Sequence, residues 1–394
     1  MKIGIITLWE SSDNYGQQLQ CWALQEVLRE LGQDPFLIRY NTALKPSLSN
    51  RIKSKLNSII KIISIYQLIR KIYERKKNKN KLIWQSEYKK KNNYRDFAGF
   101  KKQYLTISPE IYEDVEALRS NPPQAEIYIA GSDQIWSYPL SYEESKAYFL
   151  DFGSENIKRI AYAASFSLTE YPENLKPVLR HLLKRFDAVS VREDTGVSIC
   201  ESVGIKAELV VDPTMLLGIN DYKMLIQQNQ LKEDDSNYIY VYHLNIEDKE
   251  EIHWEEVKKL ALNNTLSLRV TTSSGQLIGR ELLDGVDYEY STIPQWLSNI
   301  SNARFVVTTS FHGVVFCLIF HINFIWFPLM GKRSNGNCRV IDLLKSINLS
   351  NHIFSEINTL EKVYTLPIDW DVVDIKLNSL RGLSLSFLQK ALNI

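Results

Sequence analysis

Short apolar, β-branched runs alternate with helix-patterned stretches along most of this chain, and that alternation leaves few folds open. A strand at Lys2–Leu8 leads through a loop into a helix over about 17–32, where Leu19, Trp22, Ala23, Val27 and Leu31 recur at helical spacing. Gly32 is placed to cap its C-terminus, and the strand Phe36–Tyr40 follows. Further strands are expected at 126–130, 159–164, 187–191 and 208–211, before Asp212-Pro213-Thr214 closes the first half as an interdomain link. The second half repeats the scheme. Strand Tyr238–His243, helix 247–263, strand Leu266–Val270, helix 293–302, strand 304–308, helix 313–320 and strand Asn323–Trp326 succeed one another. Strands joined through helices give parallel sheets covered on both faces. The expected architecture is therefore α/β, with two Rossmann-like, doubly wound domains. At 394 residues, domains at 1–215 and 216–394 are the natural division. A last helix at about 374–392 is expected to cross back over the boundary.

Charge and cysteine usage narrow the function classes. The net charge of +1 implies nothing about partners, but its distribution does. Residues 45–102 hold 18 Lys and Arg against 3 acidic residues, a net of +15 that leaves −14 for the rest. Within this basic helical excursion lies Ile59–Ile72, an apolar run with cations interleaved. It reads either as a helix packed on the first domain with a solvated face, or as a peripheral anchor on an anionic membrane surface. Nucleic acid is disfavoured, because the aromatics there form no stacking series. Cys21, Cys200, Cys317 and Cys338 form no Cys-x-x-Cys pair, which suits reduced thiols in a cytoplasmic protein and gives no metal site. Met1-Lys2 runs straight into a strand, so no secretory leader is expected, and no apolar stretch reaches the ~18 residues of a membrane span.

The segment richest in chemistry is Thr308-Thr309-Ser310-Phe311-His312-Gly313. It places an imidazole after a buried strand and at the start of an apolar helix, where open α/β sheets bind ligands and helix N-termini favour anions. His312 is accordingly a candidate for chemistry on something negatively charged, against the plainer reading of a helix-capping histidine. Arg192, at the end of the strand Ala188–Val191, could clamp an oxyanion or simply pair with Glu193 or Asp194. Asp133, in Gly131-Ser132-Asp133-Gln134-Ile135-Trp136, could face a cleft or cap a helix above a core tryptophan. Asn14, Tyr15, Gly16 and Gln18 occupy the first strand–helix turn without a G-x-G-x-x-G, so dinucleotide binding is disfavoured.

Taken in order with Arg159–Phe166 and Ala188–Asp194, these motifs resemble the polysaccharide pyruvyl transferase family from Lys2 to roughly Asp342. The resemblance implies the GT-B architecture, with the active site between two domains. It also implies transfer of the three-carbon unit of phosphoenolpyruvate to two hydroxyls of a sugar, with phosphate released and no cofactor needed beyond that donor. On this reading His312 protonates the enol and Asp133 assists the attacking hydroxyl. Arg192, Ser310, Phe311, Gly313 and Arg339 hold the donor, while Asn14, Tyr15, Gly16, Gln18 and Trp136 meet the acceptor. Ser310 stands where some members carry arginine, so Lys332, Arg333 or Arg339 would have to supply the missing charge. The expected partners are phosphoenolpyruvate and a sugar or lipid-linked oligosaccharide, at the inner face of the plasma membrane in surface-polysaccharide assembly. Two other classes stay open. One is a GT-B glycosyltransferase with a nucleotide-sugar donor; the other is a non-catalytic sugar- or phosphate-binding protein. Glu281 and Glu289 have a spacing seen in retaining glycosyltransferases, but Glu193/Glu201 and Glu247/Glu255 repeat it, so it carries no weight.

Overall fold

The computed structural model describes residues 1–41, 90–229, 236–273 and 281–394. Most of the basic excursion, including the run Ile59–Ile72, lies outside these residues. Among the described residues no helix is long and apolar enough to cross a membrane.

Eleven described strands form two sheets. The first is built from β1 (Lys2–Ile6), β2 (Asp34–Tyr40), β3 (Ile107–Tyr112), β4 (Ile127–Ala130), β5 (Lys158–Ala164), β6 (Ala188–Val191) and β7 (Glu208–Leu209). Their order is β3-β2-β1-β4-β5-β6-β7, and every pairing is parallel. The second contains β8 (Tyr238–Leu244), β9 (Ser267–Ser273), β10 (Phe305–Thr308) and β11 (Phe324–Trp326) in the order β11-β10-β8-β9, again all parallel. Helices cover the sheets, so the central strands are buried throughout, as the unbroken apolar runs Ile-Tyr-Ile-Ala and Phe-Val-Val-Thr require.

Among the departures from the sequence reading are β3 and the stretch 247–263. β3 was not expected; its Ser-Pro-Glu core breaks the apolar pattern, which an edge strand tolerates. The stretch 247–263 is not one helix. A 3-10 turn at Lys249–Ile252 ends where His253 adopts left-handed φ 50°, and the α-helix Trp254–Asn263 starts anew.

One apolar core runs through both halves. Tyr15 and Leu19 from the first helix join Tyr242, Trp296 and Phe316 from the second half. Tyr15 stacks on Trp296 at 5.0 Å between ring centroids, and its hydroxyl donates to the Ser291 carbonyl. The last helix, Trp370–Leu392, packs against the first half. Ser384 Oγ accepts from Val211 N (2.9 Å), Arg381 Nε donates to Met215 O (2.7 Å), and Phe387 meets Tyr162. The two sheets are thus joined by buried apolar surface.

Candidate active site

Four strand ends deliver the charged groups of this cleft. Asp133 follows β4, Arg192 follows β6, Asp212 lies three residues beyond β7, and His312 lies four beyond β10. This is the edge at which open α/β sheets present ligand-binding side chains. A cavity of about 450 Å³ opens there, within the ordinary range for small-molecule sites. Asn14, Asp133, Ser310, Phe311, His312 and Arg339 all border it, together with Lys332 and Arg333.

His312 sits in the first turn of the helix Phe311–Phe320, whose N-cap is Ser310; the Ser310 hydroxyl accepts from Gly313 N at 3.2 Å. The ring is held on two sides. On one side it lies against Gly16, where an added Cβ would fall 2.1 Å from Nδ1. On the other, Nε2 faces Asp212 Oδ2 at 3.6 Å, an ion-pair distance longer than a hydrogen bond. Gly313 is required below: a Cβ there would lie 2.4 Å from Thr308 Oγ1, so only glycine lets this helix start so close to β10.

Asp212 is fully buried and densely partnered. Oδ1 accepts from Thr214 N (3.0 Å) and Thr214 Oγ1 (2.7 Å); Oδ2 accepts from Arg192 Nη1 (2.5 Å) and Ser132 Oγ (3.2 Å). Burial alone would raise its carboxyl, but the charges of His312 and Arg192 and the Thr214 hydroxyl override that and hold it far below the usual carboxylate range. Asp212 is therefore a fixed anion beside His312. It is no mere interdomain link, which corrects the sequence reading of Asp212-Pro213-Thr214. The available signal was a carboxylate just past the strand end Leu209-Val210-Val211, a position equivalent to that of Asp133.

Arg192 also differs from expectation. Its guanidinium is buried, bonds Asp212 and reaches Asp133 Oδ1 at 3.2 Å, and lies over the Phe311 ring at 4.6 Å. It does not border the cavity, and its partners are 20 and 59 residues away, not the adjacent Glu193 and Asp194. Burial disfavours its charge, yet Asp212 and Asp133 more than compensate and push it up. Glu193 instead accepts from Ser165 Oγ, Phe166 N and Ser167 N, which shapes the loop that brings Ser167 and Gln134 to the cavity.

Four expected acceptor contacts point elsewhere. Trp136 is fully buried, stacks on Phe149 at 5.0 Å and donates its indole N–H to Tyr148 O. Tyr15 belongs to the shared core, Gly16 backs the His312 ring, and Gln18 is buried with Nε2 donating to Trp9 O. Asn14 remains at the cavity while its side chain accepts from Gln17 N as the cap of the helix Tyr15–Glu30. A cation cluster takes the place of an arginine at 310. Arg339 borders the cavity with its guanidinium 5.7 Å from the Phe311 ring, and burial together with the nearby Arg192 charge pushes its pKa down. Arg333 donates to the Asn245 carbonyl, and Lys332 is exposed on the same rim. Among the described residues no cluster of His, Cys, Asp and Glu is placed to hold a metal ion. The cavity thus offers one imidazole, three basic side chains and one accessible carboxylate, a set suited to an anionic ligand.

Comparison with known proteins identifies the family and the fold. The family model described as polysaccharide pyruvyl transferase matches residues 14–329, most of the chain and all of the site except the 332–339 loop. No curated protein sequence matches. Among solved structures, UDP-N-acetylglucosamine 2-epimerase from Rickettsia bellii superposes with a TM-score of 0.52 at 9% identity, covering 99% of this chain and 95% of that one. A co-structure of MnaA from S. aureus with UDP gives 0.48 at 11% identity, covering 100% and 97%. The wall teichoic acid polymerase TagF gives 0.46 at 8%, covering 100% and 89%. At 9% identity the superposition on the Rickettsia bellii enzyme shows a shared fold alone, the GT-B fold.

Proposed function

The chain belongs to the polysaccharide pyruvyl transferase family, and on that premise we propose that its cleft binds phosphoenolpyruvate and closes a pyruvate ketal across two hydroxyls of a sugar. The observation that carries the reading is His312 at the cavity wall, backed by the anionic Asp212 and faced by Arg339, Arg333 and Lys332. Phosphoenolpyruvate is a small polyanion whose activation needs a proton on its methylene carbon. Cations that hold it and an imidazolium that donates meet both requirements.

His312 gives its proton to the methylene carbon, and the adjacent carbon acquires oxocarbenium character. One acceptor hydroxyl adds there and loses its proton. The second hydroxyl adds as the bond to phosphate breaks, which completes the ketal. Of the two hydroxyl protons, one restores His312 and the other leaves with inorganic phosphate. Asp133, at the cavity with one oxygen held by Arg192, is the carboxylate available to the acceptor hydroxyls. Gln134, Ser137 and Ser167 add neutral hydrogen-bonding groups that suit a sugar. Arg192 acts from beneath, by fixing both carboxylates. The acceptor class is a sugar or a lipid-linked oligosaccharide.

The test is His312→Gln. The variant should fold and bind phosphoenolpyruvate while phosphate release with an oligosaccharide panel falls to background. Turnover within about tenfold of the parent would remove the acid role, since general acid–base groups contribute about 10²–10⁴-fold.

A further inference from the structure

We propose that Asp212 is the positioning residue of this site: it holds the His312 ring with Nε2 turned toward its own Oδ2, so that Nδ1 is the nitrogen that exchanges a proton with the substrate. The inference rests on the reading of His312 as the acid and adds a residue and an atom to it. Four hydrogen bonds from Thr214, Arg192 and Ser132 leave the Asp212 carboxylate no freedom to rotate, so the direction it imposes on the imidazole is fixed. Nε2 is buried and has no hydrogen-bond partner, and Asp212 Oδ2 stands within ion-pair distance of it at 3.6 Å. A neutral imidazole placed this way keeps its proton on Nε2, because the anion favours the N–H that points at it. Nδ1 lies beside Gly16, at the turn where Asn14 reaches the cavity. Gly16 packs on the ring beside that nitrogen, and any side chain there would displace the imidazole.

A role for Asp212 as nothing more than the counterion of Arg192 explains less. Arg192 already has Asp133 at 3.2 Å, and a counterion need not face the imidazole. Among the described residues, the other charged groups near the ring are Asp133, Arg339, Lys332 and Arg333 across the cavity and Arg192 behind Asp212, and only Asp212 is within ion-pair distance of Nε2.

The experiment has two parts. Imidazole ¹⁵N NMR of the histidine-labelled full-length protein, with the His312 signals assigned through His312→Gln, reads the neutral tautomer directly. The protonated nitrogen should be Nε2; protonation at Nδ1 overturns the proposal whether or not any variant folds. Second, Asp212→Asn should lower kcat by about 100-fold or more while KM for phosphoenolpyruvate stays within about threefold, as expected when a base or acid loses its orienting carboxylate. A folded Asp212→Asn with kcat within about fivefold of the parent also overturns it. If the tautomer is Nε2–H but phosphoenolpyruvate is not turned over, the positioning role stands and the donor assignment falls.

Discussion

Replacing Gly16 with alanine sets two effects of opposite sign against each other. Gly16 lies in the first turn of the helix Tyr15–Glu30, where helix propensity alone would make alanine the better residue by up to about 1 kcal/mol. The added methyl, however, would sit 2.1 Å from His312 Nδ1, 2.2 Å from Cγ and 2.6 Å from Cβ. Ordinary contact begins at 3.4 Å, so the ring must retreat by about 1.3 Å, and contact with Cβ means that a simple ring rotation cannot relieve it. Overpacking of this kind costs about 1–3 kcal/mol, which outweighs the propensity gain. The functional cost is larger, because a misplacement of about 1 Å at a reacting group can cost 10²-fold. Gly16→Ala should therefore be destabilised by about 1–2 kcal/mol net in urea unfolding and lose about 10²-fold or more in kcat. Phosphoenolpyruvate affinity should change little, since the cations are untouched. A variant that is more stable than the parent and fully active would refute the packing of Gly16 on His312.

Three further outcomes follow from the same contacts. Burial pushes the His243 imidazole down to about 3, so the unfolded chain binds the extra proton between there and the ordinary 6.5. The associated stability is complete above about pH 6.5 and is lost as pH falls, on the order of 2 kcal/mol by pH 5, and His243→Phe should flatten that slope in urea titrations at the two pH values. Trp136→Ala should cost about 3–5 kcal/mol, and Trp136→Phe should leave the acceptor KM unchanged, because the indole packs on Phe149 away from the cavity. Arg192→Met should destabilise by about 3–5 kcal/mol through the uncompensated buried Asp212, visible as a lowered thermal midpoint even without ligand.

The two-sheet plan was legible because a buried parallel strand needs an unbroken apolar run, and β1, β4, β8 and β10 have one. β3 was hidden by the requirement it escapes, since an edge strand can carry Pro109 and exposed Glu110. The break at His253 needed a left-handed residue that sequence patterning does not reveal. At the site, His312, Asp133 and Asn14 could be found from their places just after strands. Which neighbours turn inward could not, because Trp136, Tyr15 and Gln18 differ from cleft residues only in the tertiary surface they meet. Local spacing offered Arg192 an oxyanion ligand or the adjacent Glu193 and Asp194, whereas its partners Asp212 and Asp133 follow other strands. Asp212 was missed for the same reason: its meaning lies in an imidazole 100 residues away.

The central claim is that this cleft takes phosphoenolpyruvate, and calorimetric titration of the full-length protein tests it most directly. Phosphoenolpyruvate should bind, and Arg339→Ala should weaken it by about 10–100-fold, the loss of one charge-assisted contact of about 1.5–3 kcal/mol. No heat with phosphoenolpyruvate, together with saturable binding of a nucleotide sugar at a site that Arg339→Ala also weakens, would contradict the account.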